Sequence, residues 1–217
     1  MQRIRPFINT DLIKVFTGIR RAGKSVMLEL VKNELKESGI GEENFLCINF
    51  EQFSNSQFLD VESLYKKITD FQKNTKGKIY LFFDEIQEVD GWEKCINSCR
   101  IDFDCDIYIT GSNAKLLSGE LATYLAGRYV EFVIYPFSFA EFFEMNLIKN
   151  PNVDKATCFM QFLKTGGMPF LSNFPDDDSA KSQYLIDIYN SVVLKDVVKR
   201  NNIRDVDTLE RIESHRH

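Results

Sequence analysis

Proline, tryptophan and histidine are scarce in this chain, at 5, 1 and 2 of 217 residues. With only 11 glycines beside so little proline, collagen-like and low-complexity disordered readings fail. No fixed-period self-similarity runs through the sequence, which excludes a solenoid. Strictly apolar stretches such as Ile79–Phe83 fall far short of the roughly 18 residues that a membrane helix requires. The opening Met-Gln-Arg-Ile-Arg-Pro has no apolar run behind its charges, so no secretory leader is expected. Both histidines, His215 and His217, lie at the extreme C-terminus, and Cys95, Cys99 and Cys105 lack zinc-ligand spacing. Together these argue against a structural metal centre. The five cysteines are an odd set, with Cys47 and Cys105 in apolar, strand-like runs, as expected of reduced thiols in a cytoplasmic protein.

What is present is ordinary for a soluble globular protein: 44% apolar and 27% charged residues. The length suits one α/β domain with a small appendage. A net charge of −5 argues against broad electrostatic binding of nucleic acid by the whole chain. The charge is uneven, however. Residues 1–25 hold Arg3, Arg5, Lys14, Arg20, Arg21 and Lys24 against Asp11 alone, so the remainder carries −10. A cationic start on an acidic body points either to a local anion site or to a solvated basic face.

Strand-like and helix-like patterns alternate over the first two thirds. Apolar runs predict strands at Ile13–Thr17, Phe45–Phe50, Ile79–Phe83, Asp106–Thr110 and Tyr129–Tyr135. Helical spacing fills the gaps: Val26 to Leu35, then Val61, Leu64, Ile68 and Phe71, then Trp92, Ile96 and Cys99, then Leu117, Leu121 and Tyr124. Such alternation implies right-handed crossovers and a parallel sheet covered on both faces. After Pro136 only helices are expected. Ser138 and Glu141 form a capping box, Phe159, Phe162 and Leu163 mark a helix stopped at Gly166-Gly167, and a long helix runs from Ser179 to about Arg200. Asp207 and Glu210 resemble the cap of one more.

The segment Gly18-Ile19-Arg20-Arg21-Ala22-Gly23-Lys24-Ser25, with Val26 following, matches the phosphate-binding loop between a strand and a helix. Its glycines let the backbone aim N–H groups at phosphate oxygens, and the helix N-terminus adds partial positive charge. Lys24 is expected to neutralise the β- and γ-phosphates of ATP, and the Ser25 hydroxyl to ligate Mg²⁺. Asp84-Glu85 ends an apolar strand, where a carboxylate supporting Mg²⁺ belongs. Glu85 would accept the proton of an attacking water, unless the pair is only a solvated turn. If the fourth strand lies between the first and third, Thr110, Ser112 and Asn113 face the γ-phosphate, with turn chemistry as the competing account. Arg128, after Gly127 at the start of the fifth strand, reads as an arginine finger for a neighbouring subunit or as a plain surface arginine. Arg20 and Arg21 either touch phosphate or pair with acidic residues such as Glu51.

These segments, with Phe83-Asp-Glu-Ile-Gln87 and Gly166-Gly-Met-Pro169, resemble the prokaryotic AAA-type ATPases that carry an additional C-terminal domain of unknown function. The resemblance runs from about Ile13 to Arg211. It implies an α/β, three-layer P-loop core over residues 1–137, with a parallel sheet in the order 5-1-4-3-2. A small all-helical lid over 138–200 and the start of a C-terminal region at 201–217 follow, since family members usually continue well beyond this length. It also implies ATP and Mg²⁺ as cofactors, Lys24, Glu85, Asn113 and Arg128 as catalytic groups, and Ser25 and Asp84 at the metal. ATP hydrolysis would drive remodelling of a protein or nucleic-acid partner, in a homo-oligomer without a membrane.

Other classes fit less well. A GTPase needs an Asn-Lys-x-Asp guanine reader, and Asn113-Ala-Lys-Leu116 is not one. A small-molecule kinase has no need of Glu85 and requires a substrate pocket that the sequence does not reveal. A nucleotide-dependent switch or scaffold with little turnover shares every binding residue. The basic stretch Lys195, Lys199, Arg200 and Arg204 reads most simply as a solvated helix end.

Overall fold

A computed structural model describes residues 1–111, 125–174 and 177–192. Five strands, β1 (Ile13–Thr17), β2 (Phe45–Asn49), β3 (Ile79–Asp84), β4 (Cys105–Thr110) and β5 (Tyr129–Val133), form one sheet in the order β2-β3-β4-β1-β5. All four pairings are parallel. The expected order 5-1-4-3-2 is the same sheet viewed from the other edge, and β4 does lie between β1 and β3.

Side chains alternate across the sheet with period two, and the two faces differ in chemistry. Ile13, Val15, Ile79, Leu81, Phe83, Ile107 and Ile109 enter a largely aliphatic core. Helix α2 (Val61–Asn74) covers this face with Leu64 and Ile68, and α3 (Trp92–Asp102) with Trp92, Cys95, Ile96 and Cys99. Phe16, Tyr80, Phe82, Tyr108 and Phe132 enter the other, aromatic core, covered by α1 (Lys24–Glu37) through Leu28, Val31 and Leu35. There Phe82 and Tyr108 stack with ring centroids 4.8 Å apart. Asp60 caps α2 by accepting the Ser63 N–H at 2.9 Å.

By its contacts the chain divides into two compact units, Met1–Gly18 with Gly23–Tyr135, and Ile19–Ala22 with Pro136–His217. Described helices of the second unit are α4 (Phe139–Lys149), α5 (Lys155–Thr165) and α6 (Asp178–Val192). The capping box opens α4: Ser138 N–H donates to Glu141 Oε2 at 2.8 Å and Glu141 N–H to Ser138 Oγ. Phe139 packs on Phe159 and Phe162. Helix α5 ends at Gly166. A Cβ on Gly167 would lie 1.9 Å from the Phe137 carbonyl oxygen, and Phe137 N–H donates to the Gly167 carbonyl at 2.7 Å. That close approach accounts for the second glycine of the pair. The helix expected from Leu117, Leu121 and Tyr124, the continuation of α6 to Arg200, and the cap at Asp207 lie outside the described residues. No described helix is long and apolar enough to cross a membrane.

A buried ion pair interrupts the apolar core pattern. Lys14 and Asp106, both fully buried, form an ion pair between β1 and β4. Lys14 Nζ also donates to the Thr10 carbonyl at 2.9 Å, while Asp106 Oδ2 accepts from Asn9 N–H at 2.7 Å and the Tyr108 hydroxyl at 2.8 Å. Burial pushes the Lys14 pKa down, against the pull of Asp106. A buried charge that loses its partner is costly, whereas an apolar pair of similar volume is often tolerated. Asp106→Ala is therefore expected to lose about 3–5 kcal/mol in urea unfolding. Lys14→Met with Asp106→Leu should recover part of this, because Asn9 N–H and the Tyr108 hydroxyl stay unsatisfied. A loss in Asp106→Ala within the ±0.5 kcal/mol of ordinary surface changes would refute the account.

Candidate functional site

Because β1, β3 and β4 are adjacent and parallel, their C-terminal ends deliver Gly18, Asp84-Glu85 and Thr110 to one edge of the sheet. In open parallel sheets this is where ligands bind. Gly18 leaves β1 at φ +143°, and a Cβ there would sit 2.2 Å from the Ile134 carbonyl oxygen. No side chain fits between β1 and the chain that leaves β5, where Ile134 N–H donates to the Thr17 carbonyl at 2.7 Å.

Lys24 opens α1 and is 4% exposed. The N-cap, Gly23, offers no side-chain bond, and the first turn carries no acidic residue. A cation buried at the positive end of a helix is disfavoured both by the macrodipole and by lost hydration. Within the first unit its Nζ lies 3.4 Å from the Gly18 carbonyl and 3.6 Å from Glu85 Oε1. Uncapped backbone N–H groups, a helix dipole and a buried ammonium converge on one point, an arrangement suited to a phosphate.

The opposing wall is built from β2, β3 and β4. Asp84 is 7% exposed. Its Oδ2 accepts from Asn49 Nδ2 at 2.9 Å, in register on β2, and its Oδ1 accepts from the Thr110 hydroxyl. The same Thr110 oxygen accepts the Glu85 N–H at 2.9 Å. Thr110 is thus engaged in holding Asp84 and Glu85. Glu85 adopts a left-handed conformation (φ +55°, ψ +48°), uncommon for a residue with a Cβ. Its Oε2 accepts from Gln87 Nε2 at 2.5 Å.

A cleft of about 410 Å³ runs from this wall along α1, lined by Ser25, Glu29, Lys32, Cys47, Asn49 and Asp84 among others. It brings the Ser25 hydroxyl and the Asp84 carboxylate to one space. Both are hard oxygen donors of the kind magnesium takes. Each Asp84 oxygen accepts one protein hydrogen bond and retains a further lone pair. The donor set fits Mg²⁺.

The remaining residues singled out in the sequence scatter. In the loop, Ile19 is 45% and Val26 61% exposed, while Ala22 is buried and its N–H meets the Ile19 carbonyl at 3.3 Å. Arg20 is half-buried. Arg21, at φ +64°, lies within the second unit over the rings of Phe170 and Tyr184, with Nη1 3.2 Å from the Tyr184 hydroxyl. Arg5 pairs with Glu34 of α1 at 2.7 Å, so the cationic start is not one continuous anion site. Asn113 lies outside the described residues. Arg128 stands at the other end of the sheet: its carbonyl accepts the Ile13 N–H and its guanidinium donates to Asn97 Oδ1, both at 3.0 Å. The length of β1, about 3.3 Å per residue, separates it from its own Lys24. Asn49 and Gln87 were not assigned roles from sequence, because a lone amide at a strand end or in a turn is ordinary there.

A family model described as an AAA domain matches residues 10–143. An uncharacterised protein of Haemophilus influenzae is 42% identical over 214 residues, covering 98% of this chain and 52% of that protein. An uncharacterised protein of Methanocaldococcus jannaschii is 36% identical over 207 residues, covering 89% and 44%. The chain thus spans about half the length of these curated relatives. Among solved structures, AMPPCP-bound DnaA from Aquifex aeolicus matches with TM-score 0.55 at 15% identity, over 98% of this chain and 65% of that one. PCH-2 of C. elegans matches with TM-score 0.52 at 13% identity, over 86% and 63%. At such identities the likeness is one of fold, a P-loop ATPase fold. With the AAA model matched across most of the first unit, the chain belongs to the AAA family.

Proposed function

We propose that this protein binds ATP with Mg²⁺ and hydrolyses it to drive remodelling of a macromolecular partner. The observation that carries the reading is Lys24, buried at an uncapped helix N-terminus with Glu85 3.6 Å away. The family supports nucleotide binding, and AMPPCP, an ATP analogue, is bound by the DnaA structure of like fold.

In this reading the β- and γ-phosphates take the Lys24 ammonium away from Glu85. Ser25 and Asp84 hold Mg²⁺, which neutralises charge on the phosphates when bound. Glu85, released from Lys24, accepts a proton from water. The water oxygen forms a bond to the γ-phosphorus, and the bond to the β–γ bridging oxygen breaks with its electron pair leaving on ADP. A second reading, a switch with little turnover, is favoured by the contacts that occupy Glu85 before ATP arrives. Turnover decides between them.

Mg-ATP at a hundredfold above Kd should stabilise the protein by about 2.7 kcal/mol, a rise in Tm of about 5–10 °C at this size. Lys24→Ala should abolish the shift, and no shift with any nucleotide would sink the reading. Glu85→Gln should still bind ATP in the same titration while hydrolysis by the full-length protein falls by about 10²-fold or more. Parent-like turnover in Glu85→Gln would assign the base elsewhere.

Arg128 is proposed as a finger supplied to a neighbouring copy. It faces away from its own Lys24, at the opposite end of the sheet, and its guanidinium is exposed beside Asn97. An arginine supplied in trans to a γ-phosphate is worth on the order of 10³–10⁵ in rate. Specific activity should rise with protein concentration, and Arg128→Ala should bind ATP yet turn over slowly. Mixing Arg128→Ala with Lys24→Ala should restore part of the activity. Failure to restore it, in mixtures that demonstrably co-assemble, would return Arg128 to a surface role.

A further inference from the structure

We infer that Gln87 is the positioning residue for hydrolysis: its Nε2 fixes the Glu85 carboxylate, and its Oε1 accepts a hydrogen bond from the water that attacks the γ-phosphate. This inference rests on the hydrolytic reading above and deepens it.

The geometry requires one orientation of the amide. An ionised carboxylate only accepts hydrogen bonds, so the Gln87 NH₂ group must be the end that meets Glu85 Oε2, at 2.5 Å. The carbonyl end is thereby left to accept a donor other than the carboxylate, within one amide group of it. That Oε1 is buried and finds no donor among the described residues. Buried acceptors without donors are rare because each costs free energy. An orphaned acceptor next to a candidate base is where a proton-bearing ligand belongs, and the only such ligand that the reaction needs at Glu85 is water.

The local chain explains why an amide two residues on can reach back. Glu85 is left-handed at φ +55°, and Ile86–Glu88 forms a single tight turn in which Ile86 is fully buried. Burying Ile86 anchors the turn, and the left-handed residue folds Gln87 back over Glu85. Lys24 Nζ, 3.6 Å from Glu85 Oε1, and Gln87, on Oε2, then hold the two carboxylate oxygens separately. When phosphate claims Lys24, Oε1 is released while Gln87 keeps its grip on Oε2. Glu85 Oε1 and Gln87 Oε1 become two acceptors for one water, one to take its proton and one to orient it. An amide that orients water for phosphoryl transfer is a known chemical device; here it would act beside a carboxylate and not in place of one.

The test uses the full-length protein, with ATP binding measured by thermal shift and turnover by phosphate release. Gln87→Met keeps the length and bulk of the side chain and removes both hydrogen bonds. It should leave the ATP Kd within about threefold while lowering kcat by about 10–100-fold, within the usual range for general-base assistance. In a Glu85→Gln background the same substitution should cost less than in the parent, since the part of Gln87's action that runs through the Glu85 carboxylate is already gone. Gln87→Glu provides an isosteric second variant should Gln87→Met fold poorly: it removes the N–H donor that holds Glu85 Oε2 and should lower kcat by a similar factor. Parent-like kcat in both variants, or an equal loss with and without the Glu85 carboxylate, overturns the role of Gln87 and leaves hydrolysis standing. A parent that binds ATP but never hydrolyses it overturns both.

Discussion

The hydroxyl of Thr110 is the point on which the site is built. It donates to Asp84 Oδ1 and accepts the Glu85 N–H, so one oxygen joins β4 to the end of β3. Remove it and two groups lose their anchor at once: the carboxylate facing the Ser25 cleft, and the backbone that turns Glu85 into a left-handed conformation. A non-glycine residue in that region persists only where its surroundings over-determine it. Here they do, through Thr110 on its N–H, Gln87 on its side chain and the buried Ile86 behind it. Asn49, donating to the other Asp84 oxygen from β2, extends the same restraint across the third strand. The acidic half of the site is therefore rigid.

The basic half rests on the opposite principle. Lys24 is placed where both burial and the α1 dipole disfavour a cation, with the Gly18 carbonyl at 3.4 Å and Glu85 Oε1 at 3.6 Å among its neighbours. Such a group gains from any anion that can reach it. In the proposed reading the acidic wall is already formed, so phosphate binding would be a rearrangement of charge partners. The Lys14–Asp106 pair shows what the same chain does with a buried lysine that has a structural task. It gives that lysine an ion pair and a carbonyl, and it satisfies the aspartate with two further donors.

Much of this was legible in the sequence because it depends on short-range pattern. The strands follow from apolar runs of five to seven residues, and the expected bounds of β1, Ile13–Thr17, are the observed ones, with Gly18 closing the run. The parallel order followed from alternation with helices, although the position of β4 between β1 and β3 came only with the family resemblance. Lys14, Asp106, Asn49 and Gln87 were not legible as a set. Lys14 and Asp106 are 92 positions apart and meet only because β4 inserts beside β1. Asn49 meets Asp84 only through the β2–β3 register. Gln87 stood in the tripeptide that marks the resemblance, yet its role depends on a backbone conformation at Glu85 that no residue preference announces. Polar side chains acquire function through register, and register is a property of the folded sheet.

Arg20 and Arg21 illustrate the same limit within two residues. Adjacent in a loop whose sequence pattern is that of a phosphate-binding loop, they read as equivalent cations. Arg21 instead occupies a left-handed position at φ +64° and groups with the second unit, its guanidinium over Phe170 and Tyr184. The left-handed conformation costs a residue with a Cβ about 1–2 kcal/mol. Contacts between a guanidinium and an aromatic face return about 0.5–1 kcal/mol each at exposed sites, and two rings with a hydroxyl acceptor offset the strain. Glycine, which would take this turn without strain, could not make those contacts. The arginine therefore has a structural reason to stand where glycine would be the easier residue, and its charge is directed at rings of its own unit. Lys24 faces the acidic wall while Arg21 faces an aromatic pair of its own unit, so cations three positions apart in one loop serve different surroundings.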